Sequence, residues 1–264
     1  MTTDLLVSVD DGVATLTMNR PQALNALSRD MGAAMLEALT RFELDSSVGA
    51  IVLTGAGRAF CAGGDVRAMA GRADQEPEPL EQKIRALRRR MEVSRLLHEI
   101  NKPTIAMLNG VAAGAGLSMA LACDLRYAAR SARMTTAFAK VGYSGDFGGS
   151  YFLSRIVGTA RARELYYFSD MVDSERMEKL GLANAVFDDD KLVAETMALA
   201  KRLAHGPRVA LGYMKRNFNV AEDGTLEDAF DTEANGHSRT SDTEDHKEAS
   251  RAFVEKRPAV FKGR

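Results

Sequence analysis

Two apolar-rich runs, Leu5–Val9 and Val13–Met18, flank Asp10-Asp11-Gly12. Asp-Gly is a strong tight-turn signal, so the chain is predicted to open as a β-hairpin. Asn19-Arg20-Pro21 ends the second strand. Met31, Met35, Leu39 and Phe42 then recur at helical spacing behind Ser28, a residue suited to cap a helix. Ala50–Thr54 is a short apolar run entering a glycine-rich turn, which predicts a buried strand. Ile84, Leu87 and Met91, followed by Val93, Leu96, Leu97 and Ile100, suit a helix within Glu81–Lys102.

Thr104 to Cys123 carries no charge and has the length of a membrane span. Asn109-Gly110, Gly114 and Gly116 break it in the middle. It therefore reads as a buried strand (104–108), a loop, and a buried helix starting near Ala115. Leu125–Ala129 reads as another strand. Thr159 and Ser174 can each start a helix, and Gly181 can end the second. Lys191–His205 is helical and is stopped by Gly206-Pro207. After Pro207 the pattern is all-helical, with Ser241-Asp-Thr-Glu244 as a capping-box sequence before the last helix. Strand-turn-helix units to about residue 190, then helices only, predict an α/β body with a helical C-terminal piece. Residues 71–82, with Gly71, Pro77, Pro79 and four acidic side chains, read as a loop.

The chain has 264 residues and is 45% hydrophobic, enough for a sizeable core and against wholesale disorder. Lys+Arg 35 against Asp+Glu 36 argues against a general nucleic-acid binder. Cys61 and Cys123 cannot make a disulfide scaffold or a cysteine-rich metal site, and the histidines are scattered without paired spacing. No metal is expected. The start Met1-Thr-Thr-Asp-Leu-Leu6 has no basic stretch before an apolar core, so no secretory signal is expected and a cytoplasmic location is the default.

Several motifs bear on the chemistry. Gly55-Ala-Gly57-Arg-Ala-Phe60 begins like a dinucleotide fingerprint but lacks its third glycine and the helix that should follow. Gly116-Leu-Ser118-Met-Ala120 resembles a nucleophile elbow, yet no histidine in a suitable context follows it. Arg88-Arg89-Arg90 is either a solvated helix face or a contact for a phosphorylated ligand. Two glycine-rich turns remain, Phe60-Cys-Ala-Gly-Gly-Asp65 and Val111-Ala-Ala-Gly-Ala-Gly116. Each follows a buried strand and leads towards helix. Such turns expose backbone N–H groups, and a helix start adds a positive dipole end, so the pair could direct two donors at one developing oxyanion. Asp146, in Gly142-Tyr-Ser-Gly-Asp-Phe-Gly-Gly149, lies ahead of an apolar helix beginning near Ser150. From spacing alone it is either a carboxylate satisfied by helix-start N–H groups or a functional acid.

Taken in order, Met18-Asn-Arg-Pro-Gln-Ala-Leu-Asn-Ala-Leu27, Gly49–Gly55, Ala59-Phe-Cys-Ala-Gly-Gly-Asp65, Asn109–Gly116, Ala122-Cys-Asp124 and Phe253-Val-Glu-Lys-Arg257 resemble the enoyl-CoA hydratase/isomerase (crotonase) family. The resemblance covers nearly the whole chain. It implies an α/β fold, a crotonase-like spiral of ββα units over residues 1–200, with a helical C-terminal trimerisation region over 201–264. It implies a homotrimer or a hexamer of paired trimers, and an acyl-CoA thioester as substrate, with coenzyme A part of the substrate and no separate cofactor. Gly64 and Ala115 would supply the two oxyanion-hole N–H groups. Ala23, Leu24, Ala62, Asp65 and Val66 would line the coenzyme, and Phe253 and Lys256 would reach a coenzyme, often that of a neighbouring subunit.

The departures bear on the reaction. Hydratases of this family place glutamates where this chain has Ser118 and Phe138, and neither replacement can activate water. Asp146 falls where a ring-isomerising phenylacetate-pathway branch, and the aromatic acyl-CoA dehalogenases, are similar in carrying Asp. Ala137-Phe-Ala-Lys-Val-Gly142 and Gly148-Gly149 look more like the isomerase branch. An acyl-CoA isomerase with Asp146 as acid/base and Phe138 shaping the acyl pocket is therefore expected. The alternatives are hydratase-like chemistry, Asp146 as a nucleophile, and a non-catalytic acyl-CoA-binding protein.

Overall fold

The structure is a computed structural model that describes residues 2–65 and 79–264. The opening hairpin is present as β1 (Leu5–Asp10) and β2 (Val13–Met18), with Asp11 and Gly12 at φ 49° and 77° in the turn. Both central positions of a two-residue hairpin loop need left-handed backbone, which is what Asp-Gly supplies. Helix α1 (Arg29–Leu44) starts where the Ser28 hydroxyl accepts a hydrogen bond from Met31 N–H at 3.0 Å. The periodic Met31, Met35, Leu39 and Phe42 are buried beneath it.

The centre of the chain repeats one unit. A long strand of a large sheet is followed by a short strand of a second sheet and then by helix. The first unit is β3 (Ala50–Gly55), β4 (Ala59–Cys61) and, beyond residues 66–78, α2 (Leu80–Arg90) and α3 (Glu92–Glu99). The second is β5 (Thr104–Leu108), β6 (Val111–Ala113) and α4 (Ala115–Ala122). The third is β7 (Leu125–Ala129), β8 (Arg133–Thr135), α5 (Gly149–Val157) and α6 (Thr159–Phe168). Among the described residues β3, β5 and β7 are parallel neighbours in a six-stranded sheet, order β1-β2-β3-β5-β7-β10, where β10 is Ala185–Phe187. β4, β6 and β8 are parallel neighbours in a four-stranded sheet that ends with β9 (Val172–Asp173). This is the expected spiral of ββα units.

β3 and β5 are buried at every residue. Strands of a parallel sheet covered on both faces read as continuous apolar runs, as Ala50–Thr54 and Thr104–Leu108 do. The step between the sheets is set by Asn109. Its amide donates to the carbonyls of Gly55 and Gly57 at 2.7 and 2.8 Å, clipping the turn after β3 to the turn after β5. At Gly110 a Cβ would collide with the Arg58 carbonyl, so the two turns can stack only with glycine there.

Three local features differ from the sequence pattern. Ala59–Cys61 and Val111–Ala113, which the sequence places in turns, are the strands β4 and β6; three residues are too few to show a period, and only their pairing makes them strands. The stretch within Glu81–Lys102 is two helices that meet at Met91. Val93, Leu96 and Leu97 of α3 are buried, whereas α2 buries none of its residues. The last helix, α11 (Glu244–Glu255), is capped by the Thr243 hydroxyl, which accepts from His246 N–H, while Ser241 ends the preceding helix and its hydroxyl donates back to the Ser238 carbonyl. The capping box lies earlier, between Thr225 and Asp228.

After α7 (Ser174–Lys179) and β10, helix α8 (Leu192–Ala204) crosses residue 200 and packs along β2, β3, β5, β7 and β10. Then come α9 (Arg208–Asp223), α10 (Leu226–Ser241) and α11. Lys215 of α9 is 7% exposed, and its ammonium donates to Asp124 Oδ2 and to the Leu97 carbonyl, both at 2.9 Å. A buried ammonium is tolerated only when so paired, and this one fastens α9 onto the spiral. Among the described residues no helix is long and apolar enough to cross a membrane, in keeping with the reading of 104–123 as strand, loop and buried helix.

Candidate active site

The first glycine-rich turn is held by the segment after β2. Pro21–Ala23 forms one 3-10 turn and Leu24 is left-handed at φ 50°. From there the Leu24 carbonyl accepts from Ala62 N–H at 2.9 Å, and Leu27 N–H donates to the Gly63 carbonyl at 2.8 Å. Leu27 and Gly64 form a parallel bridge. Alternate amides of an extended segment point to opposite sides, so the bridge to Leu27 leaves the Gly64 N–H on the other side. Buried Asn25 fixes this segment: its amide donates to the carbonyls of Ala56 and Ala59, and its Oδ1 accepts from Arg20 N–H. Arg20 in turn pairs with Asp65 at 3.0 Å. Ala23, Leu24, Ala62, Gly64 and Asp65 are thus brought together, whereas Val66 lies outside the described residues.

The second turn ends at α4. Gly114 has φ 52° and ψ −126°, and no side chain caps the helix. The first N–H groups of a helix have no partner within it, so Ala115 N–H, at the first helical position, is a donor awaiting an acceptor. The two turns touch. A Cβ on Gly63 would lie 2.7 Å from the Ala113 carbonyl oxygen and 3.4 Å from Ala115 N, and one on Gly116 would lie 2.6 Å from Cys61 Cβ. Gly116→Ala is expected to push the turns apart. Overpacking of this kind costs about 1–3 kcal/mol, so Tm should fall by about 5 °C and activity with it, as differential scanning fluorimetry and a turnover assay would show.

Asp146 is flanked by left-handed backbone. Gly145, Phe147 and Gly148 around it have φ of 115°, 50° and 79°, and Ala137, next to Phe138, has φ 59°. Left-handed non-glycine residues concentrate where a site over-determines the chain. Helix α5 begins after Gly148 with no side-chain cap, and Asp146 Oδ1 is buried without a hydrogen-bond partner. The reading of Asp146 as a carboxylate satisfied at a helix start is therefore overturned. Burial pushes its carboxyl up to about 6, against the opposing pull of the Arg90 guanidinium.

The remaining walls are Ser118, Phe138 and Tyr166. Phe138 is buried and stacks on Tyr166 with ring centroids 5.7 Å apart. It also borders the second turn, since a Cβ on Gly114 would lie 3.7 Å from its ring. Ser118 is 1% exposed and its hydroxyl donates to the Gly114 carbonyl. A Cβ on Gly149 would collide with both Ser118 Oγ and the Tyr166 hydroxyl, so both side chains lie against the backbone three residues beyond Asp146. Among the described residues no histidine partners Ser118. His98 pairs with Glu222 and His205 with Asp11, away from the turns. Among the described residues no group of three His, Cys, Asp or Glu could hold a metal ion.

The family model described as Enoyl-CoA hydratase/isomerase matches residues 8–264. The chain belongs to the enoyl-CoA hydratase/isomerase family. Among its relatives, the 1,2-epoxyphenylacetyl-CoA isomerase of Escherichia coli (strain K12) is 37% identical over 264 residues, spanning 98% of this chain and 98% of that one. A short-chain-enoyl-CoA hydratase of Clostridium acetobutylicum is 33% identical over 96% of this chain and 95% of its own length. The crystal structure of an enoyl-CoA hydratase from Mycobacterium smegmatis matches with a TM-score of 0.90 at 33% identity, covering 98% of this chain and 99% of that one. The protein is thus an enzyme of the enoyl-CoA hydratase/isomerase type. The relatives are named for both reactions.

Two expected members of the site stand apart. Phe253, 87% exposed, and Lys256, at the left-handed end of α11, are on the surface. Among the described residues neither side chain hydrogen-bonds to or stacks on a residue of the two turns. Tyr166 carries no signal in the sequence, and Arg90 stands there only as part of the Arg88-Arg89-Arg90 run, with no sign of its effect on Asp146. The Leu165-Tyr-Tyr-Phe168 run gives no local sign of which aromatic faces the site, and Arg90 reads as one of three surface arginines.

Proposed function

We propose that this enzyme is an acyl-CoA isomerase that moves a double bond through a thioester enolate. The thioester oxygen accepts hydrogen bonds from Gly64 and Ala115 N–H. The Asp146 carboxylate removes a proton from the carbon α or γ to the carbonyl, and the C–H electron pair becomes the enolate held by the two amides. The carboxylic acid so formed returns the proton to the other carbon of the allylic system. No water enters and nothing is oxidised or reduced. Asp146 carries this reading: its Oδ1 is buried without a hydrogen-bond partner among the described residues, and desolvation raises the proton affinity of its carboxyl. Ser118, spent on the Gly114 carbonyl, and Phe138 offer no base for a water molecule. The 37% identity to a relative named as an isomerase supports the same choice.

The coenzyme portion would run along Ala23, Leu24, Ala62, Asp65 and Val66. Exposed Phe253 and Lys256 suit contact with a coenzyme held by a neighbouring chain of a homotrimer or hexamer. Exposed Phe218, Leu226 and Phe230 on α9 and α10 support that assembly. Light scattering should return three or six chain masses.

The base must be ionised, so kcat/KM should rise with pH up to about 6 and level off above it. Arg90 is the charged group acting on this carboxyl. Neutralising Arg90 by Arg90→Gln should move the midpoint upward. The function itself is tested by incubating α,β- and β,γ-unsaturated acyl-CoAs in heavy water with mass detection. Isomerisation gives a migrated double bond without gain of water, with deuterium uptake to the extent that the Asp146 carboxylic acid exchanges with solvent before it returns the proton. Hydration, or a covalent adduct on Asp146, would overturn the reading.

A further inference from the structure

The Tyr166 hydroxyl has no role in the reaction above. Its oxygen is buried and without a hydrogen-bond partner, as is Asp146 Oδ1. A buried phenol left unpaired is costly, and native structures rarely keep one without use. The ring is fixed by stacking on Phe138, and the hydroxyl lies against Gly149 and beside Ser118. Ser118 Oγ is already donating to Gly114, and Asp146 Oδ1 is itself unpaired, so the phenol is committed to neither. Burial and the Asp146 charge push the phenol up, so it stays protonated and can act as a donor throughout the working range.

We propose that the Tyr166 hydroxyl donates a hydrogen bond to an oxygen of the acyl group, so that the site selects acyl-CoA thioesters bearing a hydrogen-bond acceptor beyond the thioester carbonyl. This rests on the reading of the Asp146 pocket as the acyl site. Sites built to hydrogen-bond a substrate group discriminate strongly against analogues lacking it, because the protein group is then left unpaired. Tyr166 is a specificity-determining residue on this view, and Phe138 sets its position.

The test is calorimetric titration of full-length enzyme with hexanoyl-CoA and with its 4-oxa and 5-oxa analogues, in which an ether oxygen replaces one methylene. Binding needs no turnover, so the outcome is independent of whether Asp146 isomerises anything. Wild type should bind one oxa analogue at least tenfold more tightly than hexanoyl-CoA. Tyr166→Phe, which keeps the ring and its stacking, should bind all three thioesters within twofold of one another. Equal affinities in wild type would overturn the proposal. So would equal weakening of every thioester by Tyr166→Phe, which would mark the tyrosine as structural. A shift of the pH profile of α-proton exchange, with no change in selectivity, would make it a positioning residue for Asp146 instead.

Discussion

Asp146→Asn should reduce isomerisation at least about 10³-fold while leaving acyl-CoA affinity within a few-fold of wild type. The amide has the shape of the carboxyl but cannot take a proton from carbon. One side chain performs both proton transfers, and neither Ser118 nor Phe138 can substitute for it. The same variant should gain stability above pH 6. The ionised carboxylate is disfavoured by burial, so its folded-state pKa is raised from 3.8 to about 6. The folded state then holds more protons than the unfolded state between those values, and stability falls as pH rises through that window. The cost is absent below about 3.8 and complete above about 6, on the order of 1–2 kcal/mol after allowance for partial exposure. Thermal melts at pH 4 and pH 8 check it: the variant should exceed wild type only at the higher pH. A variant that loses activity and stability together at both pH values would show that Asp146 holds the loop instead of the proton.

Ala115→Pro should remove one oxyanion donor without unravelling α4. Proline suits the first position of a helix, where its missing N–H has no intrahelical partner. Gly114, at φ 52° and ψ −126°, is the mirror image of the extended conformation that precedes proline and is open to glycine. The ring carbon that replaces the amide hydrogen would also occupy the place of the thioester oxygen. Loss of one such donor costs about 10²–10³ in kcat, and the added obstruction should bring the loss to the upper end. Circular dichroism should be unchanged, and α-proton exchange in heavy water should fall in parallel with isomerisation. Equal activity would mean that the carbonyl is held elsewhere.

The parts of the fold visible in the sequence are those whose signal is local. The Asp11-Gly12 hairpin, the Ser28 cap with its Met31–Phe42 stripe, and the glycine-broken run from 104 to 123 each carry a backbone requirement or a period within a few residues. The short strands β4, β6 and β8 carry none, because their identity comes from pairing between units tens of residues apart. Within the site, the two glycine turns and Asp146 were legible as candidates. Their meeting was expected from the resemblance, not from any local signal, because contact between Gly63 and Ala115 depends on two chain reversals aligned by Asn25 and Asn109. Tyr166 was invisible for a related reason: only the tertiary packing of α6 against Gly149 and Phe138 separates it from the exposed Tyr167 and Phe168.

The decisive observation is a crystal structure with a saturated acyl-CoA bound, since such a thioester keeps its carbonyl and cannot be isomerised. Its oxygen should lie about 2.7–3.1 Å from both Gly64 N and Ala115 N. Asp146 should face the α and γ carbons of the acyl chain. A thioester oxygen bound away from either amide, or an Asp146 carboxylate turned from the acyl chain, would refute the proposed mechanism.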